Sequence, residues 1–245
     1  MDKQPSVMLL GDLHGDPDAL QKAFARAYSQ KVDAIIQLGD YGFGWSVGED
    51  GICDYSYLTA AMVEKTGIPF YWLDGNHENF DRLYDLPLNE DGHRPILEGV
   101  THLPRGSVIK FGETTFMAFG GAYSVDKHNR KEGTSWWKQE TADQKDIDRA
   151  LSAGKVDILL THDAPWGSQT EADFVWLEKT FGNNAVVFSQ ANQRVVTAVL
   201  ESCGAKEVYH GHLHRTYTRI IATTRTPVTC LNKETEEGST LILVV

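Results

Sequence analysis

Apolar runs and amphipathic segments alternate along the first third of the chain. Residues 6–10 (SVMLL) form an apolar run that predicts a short buried strand, and Leu20, Phe24 and Tyr28 follow at the spacing of a helix over residues 16–30. The same order predicts a strand over residues 33–38, a helix over residues 55–65 and a strand over residues 69–73. Strands that alternate with helices favour a largely parallel sheet covered by helices.

The second half of the chain predicts a second sheet. Residues 107–111 and 114–119 alternate like two strands around Gly112 and Glu113, which is typical of a hairpin. Residues 122–138 are polar, basic and aromatic without periodicity, so we expect a long loop, which in a compact domain is often functional. Further predicted elements are a helix over residues 141–152, a strand over 156–160, helical segments near 173–180 and 190–202, a strand over 207–209, and three antiparallel strands within 215–245.

Composition narrows the class of protein. With 245 residues and 41% hydrophobic content, the chain is expected to form a single domain over residues 1–245. Its net charge of −11 opposes binding to membranes or to long nucleic acids, although bound cations would let small anionic substrates approach. Three widely spaced cysteines and the lack of a long apolar stretch predict a soluble cytoplasmic protein without disulfides.

Five short loops rich in Asp, His and Asn each follow a predicted strand. They are residues 11–15 (GDLHG), 39–42 (GDYG), 75–78 (GNHE), 161–163 (THD) and 210–214 (HGHLH). Because ligands bind outside the carboxyl ends of the strands in open α/β sheets, we expect these loops to converge. Carboxylate, imidazole and amide donors without thiolates favour a hydrolytic centre over a structural zinc site, with two ions roughly 3.5–4 Å apart.

The five loops together resemble the motif set of the calcineurin-like metallophosphoesterases. The pattern D-x-H, GD, GNH[E/D], H and GHxH is matched in order between residues 12 and 214. The resemblance implies an α/β fold in which two sheets of mixed strands form a sandwich flanked by helices, a four-layer architecture. It also implies one metal ion held by Asp12, His14, Asp40 and His214, and a second held by Asp40, Asn76, His162 and His212.

The resemblance implies a hydrolase that acts on phosphoric ester bonds and uses His77 as its catalytic residue. Two divalent cations would activate a bridging water and neutralise charge on the phosphoryl oxygens. His77, with an ordinary pKa of about 6.5, would bind a phosphoryl oxygen or protonate the leaving group. We expect Mn²⁺, with Fe, Zn, Ni or Mg as alternatives, because the ligands alone do not select the metal.

The second motif departs from that of phosphoserine and phosphothreonine phosphatases, which read GDxVDRG. Here Phe43 and Gly44 replace the Asp that orients the histidine and the Arg that clamps a dianionic monoester. His77 therefore lacks an evident carboxylate partner, and Asp74, Glu78 and Asp163 remain open candidates. We expect a phosphodiesterase for small nucleotide-type substrates such as 2′,3′-cyclic nucleotides; the alternatives are a phosphomonoesterase, including a protein phosphatase, and a non-catalytic scaffold.

The sequence assigns no substrate-binding residue and no oligomeric state. The aromatic residues that would either stack on a base or pack in the core are Trp45, Tyr123, Trp136, Trp137 and Trp166. The arginines without an assigned role are Arg82, Arg94, Arg105 and Arg130. The basic stretch over residues 127–131 (KHNRK) keeps a nuclease among the hypotheses, and His210 is expected to be structural, as the last residue of a strand.

Overall fold

The structure is a computed structural model that describes residues 4–45 and 53–245. Its helices are α1 (Pro17–Gln30), α2 (Asp54–Thr66), α3 (Phe80–Asp85), α4 (Gln144–Ser152), α5 (Glu171–Phe181) and α6 (Asn183–Cys203). Its first strands are β1 (Ser6–Leu10), β2 (Ala34–Gln37), β3 (Phe70–Trp72), β4 (Arg94–Leu97), β5 (Val100–His102) and β6 (Ser107–Phe111). The others are β7 (Thr114–Phe119), β8 (Ile158–Thr161), β9 (Glu207–His210), β10 (Tyr217–Ile220), β11 (Pro227–Cys230) and β12 (Thr240–Val244).

The strands form two six-stranded sheets, in the orders β12-β1-β2-β3-β5-β4 and β10-β11-β9-β8-β7-β6. The four central strands of each sheet run parallel, and the outer strand on either side is antiparallel to its neighbour. The expected two-sheet α/β sandwich of mixed strands flanked by helices is therefore confirmed.

Three buried apolar layers hold the two sheets and their helices together. Val7 and Leu9 of β1 pack between the sheets, whereas Met8 and Leu10 face α1 and pack with Leu20 and Phe24. A third layer lies between the second sheet and helices α4 and α6. Because successive side chains point to opposite faces of a strand, a strand covered on both faces reads as a continuous apolar run. Four layers result, in the order helices, sheet, sheet, helices.

Helix α1 shows how the local sequence fixes one of these elements. Asp16 caps its start by accepting hydrogen bonds from the backbone N–H groups of Asp18 and Ala19, at 2.8 and 3.1 Å. Pro17 occupies the first turn, where its missing N–H costs nothing. The predicted apolar face of α1, formed by Leu20, Phe24 and Tyr28, is partly wrong. Tyr28 is 64% exposed, and Ala27 is buried in its place.

The sequence did not predict the shortest elements or the pairing of strands that are distant in sequence. Helix α3 and strands β4 and β5 were not predicted, because runs of three to six residues show no clear periodicity. The three strands of the tail exist, but they do not form one antiparallel group. Strand β11 pairs parallel with β9, and β12 crosses to the first sheet, where it pairs antiparallel with β1.

The long loop over residues 122–138 is confirmed, and within it one 3₁₀ turn is formed by Lys127–Asn129. No helix in the described ranges, 4–45 and 53–245, is long and apolar enough to cross a bilayer.

Candidate metal centre

The five predicted loops meet at one edge of the sandwich. Those after β1, β2 and β3 come from the first sheet, and those after β8 and β9 come from the second. Two groups of side chains result, whose potential ligand atoms lie within 4.8 Å of one another. The first group consists of Asp12, His14, Asp40 and His214, and the second of Asp40, His162 and His212. Asp40 belongs to both groups.

The first group brings two imidazoles against two carboxylates. His214 Nε2 lies 3.0 Å from Asp12 Oδ2, and His14 Nε2 lies 3.5 Å from Asp40 Oδ2 and 3.9 Å from Asp12 Oδ2. The rings of His14 and His214 meet edge to face, with centroids 4.9 Å apart. Four donors around one point are enough to hold one divalent ion, and water can occupy the remaining positions of a five- or six-coordinate shell.

The second group shares Asp40 and adds an amide. His162 Nε2 lies 3.4 Å from Asp40 Oδ1 and 3.1 Å from Asn76 Oδ1. The ring of His212 lies 5.0 Å from that of His162, centroid to centroid. The structure therefore brings together all seven side chains that the sequence suggested as ligands.

Two features show that this cluster fits metal ions. Asp12 Oδ2 is buried and accepts no hydrogen bond, whereas buried polar atoms in proteins almost always have a partner. In addition, His14, Asp40, His212 and His214 all adopt the left-handed backbone region, with φ between 47° and 63°. Such strain concentrates at binding sites, where the surroundings impose it.

Close backbone approach at two glycines makes the cluster possible. A Cβ at Gly75 would lie 2.1 Å from Asp40 Oδ1, and one at Gly211 would lie 2.2 Å from Asp12 Oδ1. Both distances are far inside van der Waals contact, so any side chain there would displace a carboxylate. This is the physical reason for glycine at the start of these loops.

Hydrogen bonds from outside the two groups orient the imidazoles. His14 Nδ1 lies 3.2 Å from Glu234 Oε1, and His162 Nδ1 donates to the carbonyl oxygen of Leu38 at 2.8 Å. Each contact leaves Nε2 free to face the carboxylates. Partners of this kind fix the tautomer of metal-binding histidines. Glu234 lies in the tail, where no sequence pattern marked it.

Comparison with known proteins identifies the family. The sequence profile of the calcineurin-like phosphoesterases matches residues 5–216. The chain belongs to this family. It is therefore a metal-dependent hydrolase that acts on phosphoric esters, and its family uses a dinuclear metal centre. No curated protein sequence matches the chain.

Solved structures of low sequence identity share the fold of this phosphoesterase. The protein TT1561 of Thermus thermophilus is 12% identical, with a TM-score of 0.53 over 96% of this chain and 92% of its own. GAP50, the anchor in the inner membrane complex of Plasmodium, is 11% identical, with a TM-score of 0.51 over 99% of this chain and 79% of its own. At these identities the likeness concerns the fold alone.

The neighbour of His77 in this phosphoesterase is an arginine, not a carboxylate. Arg130 Nη2 lies 3.3 Å from His77 Nδ1, and the backbone N–H of His77 donates to Asp40 Oδ1 at 2.8 Å. Since a guanidinium only donates, Nδ1 is the acceptor and Nε2 carries the proton of a neutral imidazole. Burial, together with the charge of Arg130, lowers the pKa of His77.

Each carboxylate that we considered as the partner of His77 is engaged elsewhere. Asp74 pairs with Arg105 at 2.6 Å, and Asp163 accepts from Asn192 at 2.7 Å. Glu78 accepts the backbone N–H groups of residues 41–43 at 2.7–3.1 Å, and burial raises its pKa to about 8. Glu78 therefore shapes the loop after β2.

The long loop over residues 122–138 supplies Arg130 and the polar network around it. Arg130 Nη1 donates to Ser124 Oγ at 2.7 Å, and Arg130 forms ion pairs with Glu140 at 3.3 Å and Asp126 at 3.5 Å. Asn76 Nδ2 donates to the same Ser124 Oγ at 3.0 Å. This network joins a suggested metal ligand to the residue beside His77. The basic and aromatic character of the loop was the signal that pointed to it.

The aromatic residues and His210 occupy different surroundings. Trp45 lies beside the candidate metal centre, where its indole N–H donates to the carbonyl oxygen of His77 at 2.6 Å. Trp137 is only 6% exposed and belongs to the core beside α1 and α2, so packing is its role. Tyr123 stacks on Phe188. Trp136 forms a cation–π contact with Lys127, and Trp166 forms one with Arg194. His210 is buried at the end of β9, as expected.

Proposed function

We propose that the two groups of side chains hold two divalent ions, with Asp40 shared between them. Asp12, His14 and His214 would complete the first site, and Asn76, His162 and His212 the second. When bound, the ions supply Lewis-acid charge for the phosphoryl oxygens and for the attacking water. The buried Asp12 Oδ2, which accepts no hydrogen bond, and the left-handed backbone at four of the seven residues support this assignment. Mn²⁺ remains our expected metal.

We propose that His77 donates a hydrogen bond from Nε2 to the leaving oxygen of the substrate. Water attacks phosphorus and the ester P–O bond breaks; the proton that the water gives up ends on the departing alkoxide, whose developing charge the N–H of His77 stabilises. The contact from Arg130 to Nδ1 supports this role, because it places the proton on the opposite nitrogen. Arg130 acts in this scheme as a positioning residue for His77.

We further propose that the substrate is a phosphodiester. The observation that carries this proposal is the state of the arginine beside His77: the guanidinium of Arg130 is paired with Glu140 and Asp126. Its donors are thereby engaged, so it offers less to the second negative charge of a monoester than an unpaired arginine would. Phe43, which replaces the usual aspartate, is 1% exposed and stacks on Trp72, so it contributes no polar group. A monoesterase is the alternative.

A substrate panel under one Mn²⁺ concentration tests the diester proposal. The panel contains bis-p-nitrophenyl phosphate, 2′,3′-cyclic nucleotides and p-nitrophenyl phosphate, each measured as kcat/KM. We expect the diesters to exceed the monoester by about tenfold or more, a difference of about 1.4 kcal/mol in transition-state binding. Chelated enzyme serves as the control. A clear preference for p-nitrophenyl phosphate would contradict the proposal.

We propose small nucleotide-type substrates rather than long nucleic acids. The net charge of −11 supports this choice, because a polyanion would be repelled over most of its length. The buried thiols of Cys53, Cys203 and Cys230 are free, which supports the expected cytoplasmic location.

A further inference from the structure

A cavity of about 320 Å³ opens beside the metal centre, between helices α5 and α6 and the loop after β9. Its volume lies at the lower end of the range for small-molecule sites, roughly 300–1,000 Å³. The polar and aromatic side chains that line it include Asp163, Gln169, Trp176, Gln193, His212 and Arg215. Because His212 belongs to both the cavity wall and the second group, a ligand in the cavity would touch the metal centre.

The cavity wall contains buried polar atoms without partners. Gln193 is 2% exposed, and its Oε1 accepts no hydrogen bond, while its Nε2 donates to Gln169 Oε1. Arg215 Nε and Nη2 are also unpartnered, while Nη1 donates to Asp173 Oδ1 at 2.6 Å. In the described ranges, six buried side-chain atoms lack a hydrogen-bond partner, and three of them belong to the cavity residues Gln193 and Arg215. Such concentration indicates a ligand with both donors and acceptors.

The charge and shape of the cavity favour a neutral planar ligand. The charge of Arg215 is offset by Asp173, so the cavity does not demand an anion. Trp176 is 62% exposed and offers an indole face at the rim, while Leu177 and Leu213 supply apolar wall. Aromatic faces stack on nucleobases, and amide and guanidinium groups read their polar edges.

We propose that this cavity binds the base of a nucleotide substrate whose phosphate lies at the metal centre. The inference rests on the proposed function and extends it to base recognition. Gln193 Oε1 accepts from an exocyclic or ring N–H of the base, Arg215 donates to its ring nitrogen or carbonyl, and Trp176 stacks on its face.

Binding measured by titration calorimetry with the Mn²⁺-loaded protein tests the inference. The probes are the four common nucleoside 5′-monophosphates and ribose 5-phosphate, which share the phosphate but differ in the base. We expect at least one nucleotide to bind about tenfold or more tightly than ribose 5-phosphate. Equal affinities would overturn the inference.

Two cavity variants and one matched control complete the experiment. Gln193→Met removes both polar atoms at similar volume, and Trp176→Leu removes the stacking face at a position that is 62% exposed. Each should reduce the ratio between nucleotide and ribose phosphate affinity by about 3–10-fold, the loss expected for one hydrogen bond or stacking contact. Gln190→Met, on the same helix but not among the cavity residues, should keep the wild-type ratio. Wild-type ratios in both cavity variants would overturn the inference.

This binding experiment separates the inference from the proposed function. If the substrate panel showed no diester hydrolysis while the affinity ratio held, the diesterase proposal would fail and base recognition would stand. If hydrolysis were present and the ratio absent, only base recognition would fail.

Discussion

Asp40 and Asp74 are two buried carboxylates that follow neighbouring parallel strands, yet their surroundings differ in kind. Asp74 receives two nitrogens of Arg105, at 2.6 and 2.9 Å, and faces His102 at 3.2 Å. Asp40 lies 3.4 and 3.5 Å from two imidazoles and next to Asp12, whose Oδ2 accepts no hydrogen bond. A guanidinium is always charged, whereas an imidazole carries charge only when protonated.

The comparison separates a structural cluster from a functional one. The charge of Asp74 is compensated within the protein, and Arg105 lowers the pKa of Asp74 to about 2. When metal ions bind, the imidazoles act in the neutral form, so the added cations then compensate the carboxylates of the candidate metal centre. Burial of a charge therefore does not by itself indicate function. A buried carboxylate oxygen that also accepts no hydrogen bond, as in Asp12, indicates a place for a cation.

The largest effect is expected for Asp40→Asn. An amide in place of the shared carboxylate removes the negative charge that both ions require, so activity should fall by about 10³-fold or more. Metal content measured by plasma mass spectrometry should fall from two ions per chain towards zero. Asp74→Asn is the control and should retain two ions at temperatures where it is folded. Two ions per chain in Asp40→Asn would contradict the assignment of Asp40 as the carboxylate shared between the two metal ions.

His77→Ala should separate catalysis from metal binding. The side chain lies beside the two groups but belongs to neither, so the variant should keep its metal and lose about 10²–10⁴-fold in kcat. The loss should be largest for substrates whose leaving alkoxide has a high pKa, because these develop the most negative charge on the leaving oxygen and need the hydrogen bond from His77 most. Wild-type kcat on such substrates, measured with full metal content, would contradict the role of His77.

Asp74→Asn should cost stability rather than activity. Removing Asp74 leaves Arg105 with the more exposed Asp146, at 3.0 Å, as its remaining carboxylate, and the expected loss is about 3 kcal/mol in the free energy of unfolding. Denaturant titration with the metal-free protein measures it, with Asp148→Asn on the exposed face of α4 as the control. A loss below about 1 kcal/mol would mean that the Asp74 cluster is not structural.

The same pair predicts a pH dependence of stability. The pKa of Asp74 is lowered from 3.8 in the unfolded chain to about 2, so its stabilisation is present above about pH 4 and is lost as pH falls through 2. The difference between wild type and Asp74→Asn should narrow by about 2 kcal/mol over that window.

The smallest effect is expected for Glu234→Gln, which tests a side chain that contacts the candidate metal centre through His14. Glu234 orients His14 from outside the metal groups, so the variant should bind metal about 10–100-fold more weakly while both ions still bind at high concentration. Glu236→Gln, two residues further and exposed, is the matched control. Unchanged metal affinity in Glu234→Gln would show that the contact does not orient His14.

Local sequence patterns predicted the two sheets and the five loops, and the resemblance to the calcineurin-like metallophosphoesterases supplied the sandwich and the suggested ligands. Apolar runs such as residues 6–10 mark strands that are buried on both faces, and the Asp, His and Asn loops follow the strand ends by position. Strand direction then brings those loops to one edge, so convergence follows from local periodicity and the rule that central strands run parallel. The substitution of Phe43 and Gly44 in the second motif was also visible in the sequence.

Tertiary structure alone decided which side chains surround the ligands. Arg130 and His77 are separated by 53 residues, and Glu234 and His14 by 220, and nothing in either local pattern connects them. The cavity that we propose for the nucleotide base likewise forms only because α5 and α6 pack beside the loop after β9. Periodicity encodes the face and direction of an element. Contacts between residues that are distant in sequence depend on how non-periodic loops pack. That packing depends on the tertiary structure of the whole chain.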